Sequence, residues 1–143
     1  MKISFTVPGD PVAKARARTF RNQWTGKVHG VTPEKTVNYE NFVKWCASSC
    51  FPAPLAGPIV LTIHVYRKIP KSISRKQKAA AEQGVFRPTI KPDCSNYQKA
   101  IEDALNEIAY MDDSQVVSVH VHKFFSVNPR TEIQVEQIEE GSA

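Results

Sequence analysis

The run from Lys91 to Val117, KPDCSNYQKAIEDALNEIAYMDDSQVV, constrains this chain more than any other, because it reads as a capped helix that stops at an acidic turn and hands over to a strand. Pro92 steers the residue before it away from helical geometry. Asp93 or Ser95 can cap the orphan N–H groups, and Glu102 to Leu105 favour helix, which predicts a helix from about Ser95 to Ile108. At ~100° per residue, Tyr97, Ile101, Ala104, Leu105 and Ile108 form an apolar stripe that packs inward. Asn96, Lys99, Asp103 and Asn106 share a polar stripe that can face a substrate. Tyr110-Met111 and Asp112-Asp113 then form a turn, and Ser114 to Phe125 reads as a strand through its β-branched Val116, Val117, Val119 and Val121.

Acids at both ends of a helix with a lysine between them are what a divalent-metal phosphodiester site uses. The same residues also suit scaffolding, since an aspartate is a common N-cap and an Asp-Asp pair a common turn. Only a third element can bring the two ends of one helix together. On residue types alone both readings stand.

The pattern KPD-x-x-N-x-x-K-A-x-x-D-A-L-N followed by Y-x-D-D-x-Q-V-V resembles the signature of the RusA family of Holliday-junction resolvases, small homodimeric endodeoxyribonucleases often carried by phages and prophages. Weaker similarity extends to the opening strand ending Val7-Pro8-Gly9-Asp10-Pro11, to Lys14-Ala15-Arg16-Ala17-Arg18 and to Pro70-Lys71-Ser72. The resemblance implies a Mg²⁺-dependent enzyme, with Mn²⁺ as an alternative, that makes paired nicks in four-way DNA junctions during recombination and repair. By position, Asp93 matches the first catalytic aspartate, Lys99 the essential lysine and Asp113 the acid after the helix. Asn96 and Asp103 match recurrent positions, and Asp112 is the other half of the acidic pair. The family usually reads Asp-x-Asp-Asn, whereas this chain has Asp93-Cys94-Ser95-Asn96, so a neutral hydroxyl replaces a carboxylate and Mg²⁺ affinity should fall. The implied ligands are Asp93 and Asp113, with Asp112, Asp103 and Ser95 as further candidates. The alternative is a branched-DNA-binding protein whose cleavage Ser95 impairs.

Charge supports a polyanionic partner. Nineteen Lys and Arg against fourteen Asp and Glu give a formal charge of +5 in 143 residues. From Arg67 to Lys91 the only acid is Glu82, and a second basic cluster of Lys14, Arg16, Arg18, Arg21 and Lys27 surrounds Phe20 and Trp24. The expected DNA contacts are Lys14, Arg16, Arg18, Lys71, Arg75, Lys76, Lys91 and Asn96, with Trp24 the better candidate for stacking on a base.

The rest of the chain predicts one α+β domain over 1–143, with a mixed or mainly antiparallel sheet packed against helices. Lys2 to Val7 reads as a strand and Gly26 to Gly30 as a turn or hairpin. A helix from Thr32 to about Ser49 has Thr32 as cap, Pro33 in its first position and Val37, Phe42, Val43 and Cys46 available to the core. Trp45 reads as a core or interface residue. Ile59 to Tyr66 is the clearest strand, and a short basic helix from Ser72 or Ser74 ends at Gly84. Arg130 to Ile138 is expected to pair with the preceding strand across Asn128-Pro129. His64, His120 and His122 lie on predicted strands without a matching zinc-ligand spacing, so they read as sheet-face histidines rather than ligands. Three cysteines without a Cys-x-x-Cys pair suit reduced thiols in the cytoplasm. No apolar run is long enough to span a bilayer and no signal peptide is evident. A near-two-fold junction cut by a one-site chain calls for a C₂ homodimer.

Overall fold

The computed structural model describes residues 1–15, 18–21, 28–31 and 33–139, with the backbone alone described for 18–21 and 28–31. Arg16, Trp24, Lys27 and Thr32 lie outside the described residues, as do the side chains of Arg18, Phe20 and Arg21. In chain order the elements are β1 (Lys2–Pro8), β2 (Arg18–Arg21), β3 (Val28–Val31), α1 (Glu34–Ser48), β4 (Ile59–Lys68), α2 (Arg75–Glu82), α3 (Cys94–Leu105), β5 (Val116–Ser126) and β6 (Arg130–Gln137). A single 3₁₀ turn, Asp113–Gln115, separates α3 from β5.

Strands β1, β6, β4 and β5 form one mixed sheet in that order, and β2 and β3 pair as a separate antiparallel hairpin. β6 runs antiparallel to both β1 and β4, while β4 and β5 are parallel, joined by the crossover that carries α2 and α3. The architecture is the expected α+β. The expected β5–β6 hairpin is not formed, because β4 lies between them. Burial explains this outcome. Ile59, Leu61, Ile63 and Val65 of β4 are all fully buried, as a central strand requires, whereas Phe125 alone is buried on β5, as suits an edge.

The helices cover one face of the sheet. Ile133 and Val135 of β6 join the β4 residues beneath Val43 and Ala47 of α1 and Tyr97, Ile101, Ala104 and Leu105 of α3. Each buried Val, Leu or Ile side chain among them contributes about 1.5–3 kcal/mol relative to exposure. α3 buries the stripe read from the sequence but ends at Leu105, because Glu107 takes a left-handed φ of 69° and its N–H turns to the Tyr110 carbonyl.

α1 departs further from expectation. Its buried residues are Thr36, Tyr39, Val43 and Ala47, while Val37, Phe42 and Trp45 face solvent, Trp45 with 74% of its surface exposed. Trp45 is therefore not a core residue. The polar members can be buried because their hydroxyls are satisfied: Tyr39 Oη shares a 2.7 Å hydrogen bond with Thr131 Oγ1, and Thr36 Oγ1 accepts from the Ala15 N–H. Burial pushes the Tyr39 phenol up to about 12. Pro33 is the N-cap rather than the first helical residue.

α2 forms as the sequence reads, with a capping box between Ser74 and Gln77 and a left-handed Gly84 (φ 77°) beyond its C-cap. Ala81 packs with Ile69 and Phe125 as a small second core. No helix among the described residues is long and apolar enough to cross a membrane.

Candidate active site

The polar stripe of α3 becomes a site because the segment after β1 is laid along it. Asn96, Lys99 and Asp103 share one helix face, and the Lys14 N–H donates to the Asn96 carbonyl at 2.9 Å. That bond brings the Lys14 ammonium to two acids, Glu40 Oε1 of α1 at 2.6 Å and Asp103 Oδ2 of α3 at 3.2 Å. Asp103 Oδ1 also meets Lys99 Nζ at 3.1 Å, one helical turn away, and Lys99 Nζ lies 3.9 Å from Asp113 Oδ2. Glu40, Lys14, Asp103, Lys99 and Asp113 thus form a seam of alternating charge across four segments of the chain.

Local charge holds both lysines in their ammonium form. The hydrogen bond and charge of Asp103, then the charge of Asp113, raise the Lys99 pKa. Burial pulls Lys14 down, and its bonds to Glu40 and Asp103 more than offset this, for a net rise. The Lys99 side chain remains 54% exposed, so its pairing contributes at most about 1 kcal/mol to stability, and its value lies in position.

The Asp112–Asp113 turn is tied on both sides. Toward α3, the buried Tyr110 donates its hydroxyl to the Glu102 carbonyl at 2.9 Å. Toward the Pro-rich connection, Gln115 accepts from the Met111 and Asp112 N–H groups and donates to the Leu55 and Gly57 carbonyls. Asp112 Oδ2 accepts from the Ser114 N–H at 3.1 Å, and hydrogen bonding at Ser114 holds its carboxyl below the usual range. Asp112 is therefore a turn cap, and Asp113 is the acid of the pair that faces Lys99.

Beside the seam lies an open cleft of about 810 Å³ whose walls among the described residues include Lys14, Lys35, Arg67, Lys68 and Lys91 against one acid, Asp10, together with Asn96. Arg67 Nη1 donates to the Lys91 carbonyl at 3.2 Å, which braces this wall. Of the expected DNA contacts, Lys14, Lys91 and Asn96 line the cleft. Lys71, Arg75 and Lys76 are exposed before and on α2, outside its walls.

The signature of the endodeoxyribonuclease RusA family matches residues 8–136, a span that holds the whole seam, the acidic turn and the cleft. The chain belongs to the RusA family. It is also 45% identical over 140 residues to YqaN of Bacillus subtilis (strain 168), a protein described as uncharacterized, with 95% of this chain and 96% of that one covered. Membership supports a DNA nuclease.

Within this RusA-family chain the structure separates residues that the sequence grouped together. Lys99, Asp103 and Asp113 are brought together. Asp93 sits at the N-cap of α3 but makes no side-chain cap bond, and both it and Ser95 are exposed. Asp103 and Asp112, the substitutes that the sequence offers for a carboxylate at Ser95, are held by two ammonium groups and by the turn respectively. Among the described residues no three His, Cys, Asp or Glu side chains are gathered to hold a metal ion. The carboxylate oxygens of Asp93 and Asp113 are the donor type that a hard cation takes, one or two at a time, with water and phosphate completing its shell. His64 and His122 face each other across β4 and β5 with ring centroids 5.0 Å apart, on the sheet face that the helices do not cover.

Sequence reading missed Glu40, Lys35 and the linkage made by Gln115. Glu40 had no signal, since its partner Lys14 is 26 residues away. Gln115 did stand within the quoted pattern, next to the acids it holds.

Proposed function

We propose that this RusA-family nuclease is a Holliday-junction resolvase that nicks four-way DNA junctions in pairs, as a homodimer, with Mg²⁺ or Mn²⁺. The observation that carries this reading is the charge seam that holds Lys99 between Asp103 and Asp113 beside a basic cleft. Asp113 and Asp93 are the carboxylates that would hold the cation. When bound, a divalent cation polarises the scissile phosphate and acidifies water. Lys99, kept cationic by its neighbours, offsets charge that develops on the phosphate in the transition state. Asp103 orients Lys99. The cleft cations and Asn96 take the phosphate backbone, giving affinity that is insensitive to sequence and falls with salt. Lys14 is shared between these tasks, because its ammonium joins the seam while its segment forms a wall of the cleft. A junction is nearly two-fold symmetric, so paired nicks need two copies of this single site.

A second reading is favoured by one specific observation. Ser95 presents no charge, and neither Asp103 nor Asp112 is disposed to replace it. On that reading the protein binds branched DNA and cuts it weakly or not at all. Incubating wild type with a synthetic four-way junction and with linear duplex of the same sequence, in Mg²⁺ and in EDTA, tests both. Symmetric, junction-selective nicks in Mg²⁺ alone support the resolvase. Tight binding that ignores the metal and leaves the junction intact supports the second reading, and equal binding of junction and duplex rejects both.

A further inference from the structure

We infer that Gln115 is the positioning residue that sets the Asp112–Asp113 turn, and with it the Asp113 carboxylate, opposite Lys99. The inference rests on the nuclease reading of the site above. A carboxamide offers two donors and one oxygen with two lone pairs, and here all four positions are filled. The oxygen accepts from the Met111 N–H at 2.9 Å and the Asp112 N–H at 3.2 Å. The nitrogen donates to the Leu55 carbonyl at 3.0 Å and the Gly57 carbonyl at 3.1 Å. Backbone donors on one side and acceptors on the other fix which end of the amide is oxygen.

The side chain thereby staples the acidic turn to a segment that is itself anchored, since the Leu55 N–H donates to the Ala109 carbonyl at 2.8 Å and Leu55 is buried. Other side chains cannot reproduce this. Glutamate lacks the donors, lysine and arginine lack the acceptor, and asparagine is one methylene too short to span both strands of the contact. The staple matters to the site because the contact of Asp113 with Lys99 is long, at 3.9 Å, so the path of the turn decides where the carboxylate points. Residues that orient a metal-binding carboxylate typically change affinity or activity about 10–100-fold when removed.

Two variants and three readouts test this. Gln115→Met removes all four bonds at nearly constant length, and Gln115→Glu keeps the two accepted ones. In metal-free buffer, the Met111 and Asp112 amides should exchange with solvent faster in Gln115→Met than in wild type and stay protected in Gln115→Glu. Junction Kd in EDTA should be unchanged in both. Single-turnover cutting at saturating junction should fall about 10–100-fold in Gln115→Met, with more Mg²⁺ needed for half-maximal rate, and by less in Gln115→Glu. Wild-type cutting and Mg²⁺ dependence in Gln115→Met would overturn the inference. If Gln115→Met does not fold, Gln115→Glu decides, because wild-type cutting in it shows that the staple does not set the acid. If wild type itself does not cut junctions, the reading of the site fails instead, and the Gln115 inference is then judged on exchange, where unchanged protection overturns it.

Discussion

The seam and the cleft lie side by side and are built in opposite ways. In the seam every cation is matched, Lys14 by Glu40 and Asp103, Lys99 by Asp103 and Asp113, so its charges are fixed in place and largely cancel. In the cleft, among the described residues, Lys35, Arg67, Lys68 and Lys91 outnumber one acid, Asp10, so an excess of positive charge faces solvent. Paired charges suit a task that depends on position, and unpaired ones suit attraction to a polyanion from any direction. Under the proposed function the contrast assigns cutting to the seam and holding DNA to the cleft, with Lys14 shared between them.

The sharpest break is Asp113→Asn, which should lower junction cutting by at least about 100-fold and leave junction Kd unchanged, read by single-turnover assays beside filter binding. Next comes Lys99→Met, for which the expected loss in cutting rate is about 10²–10³-fold. Because Lys99 is already neutralised by its acids, the salt dependence of binding should not change. In the cleft the pattern inverts: Lys68→Ala and Lys91→Ala should each weaken binding and reduce the slope of log K against log salt by about 1, with cutting at saturating junction preserved. A salt slope unaffected by these changes would place DNA elsewhere.

Glu40→Gln sharpens the comparison rather than breaking it. Losing one of its two acids frees Lys14 toward the cleft, so binding should tighten modestly while cutting falls, with stability lowered by no more than about 1 kcal/mol in a thermal melt. The smallest effect lies outside both regions. Burial, then the charges of His64, Arg87 and His120, lower the His122 pKa below its ordinary 6.5. The folded state therefore binds its proton less readily than the unfolded state, and the stability this residue contributes is present above pH 6.5 and lost as pH falls through its folded pKa. His122→Phe should flatten that slope in melts taken across the acid range and leave cutting and binding untouched.

Much of the fold was legible, because strong signals were local. The buried stripe of α3, the Ser74 cap of α2 and the alternation in β4 each follow from spacing within one element. What failed depended on competition between elements. The order of β4, β5 and β6 is decided by which strand has apolar residues enough to be covered on both edges, and the short Asn128-Pro129 connection says nothing of that. On α1 the hydroxyls of Thr36 and Tyr39 displace the more apolar Val37, Phe42 and Trp45 from the core, since their partners on β6 and the segment after β1 are far away in sequence. The site divides likewise. Asp103 and Lys99 were readable as a helical pair, and Asp113 by its resemblance, but Glu40 reaches them only through Lys14. Asp112, which the resemblance offers only as a further ligand candidate, caps the turn with its carboxylate.

The most direct measurement compares Asp113→Asn with the Lys68→Ala, Lys91→Ala double variant on one four-way junction, recording single-turnover cutting in Mg²⁺ and Kd in EDTA for each. Separate tasks predict that the first variant loses cutting and keeps its Kd, while the second loses affinity and cuts at the wild-type rate once saturated. Equal losses of both quantities in both variants, or undiminished cutting by Asp113→Asn, would contradict the division of the site into a seam that cuts and a cleft that holds.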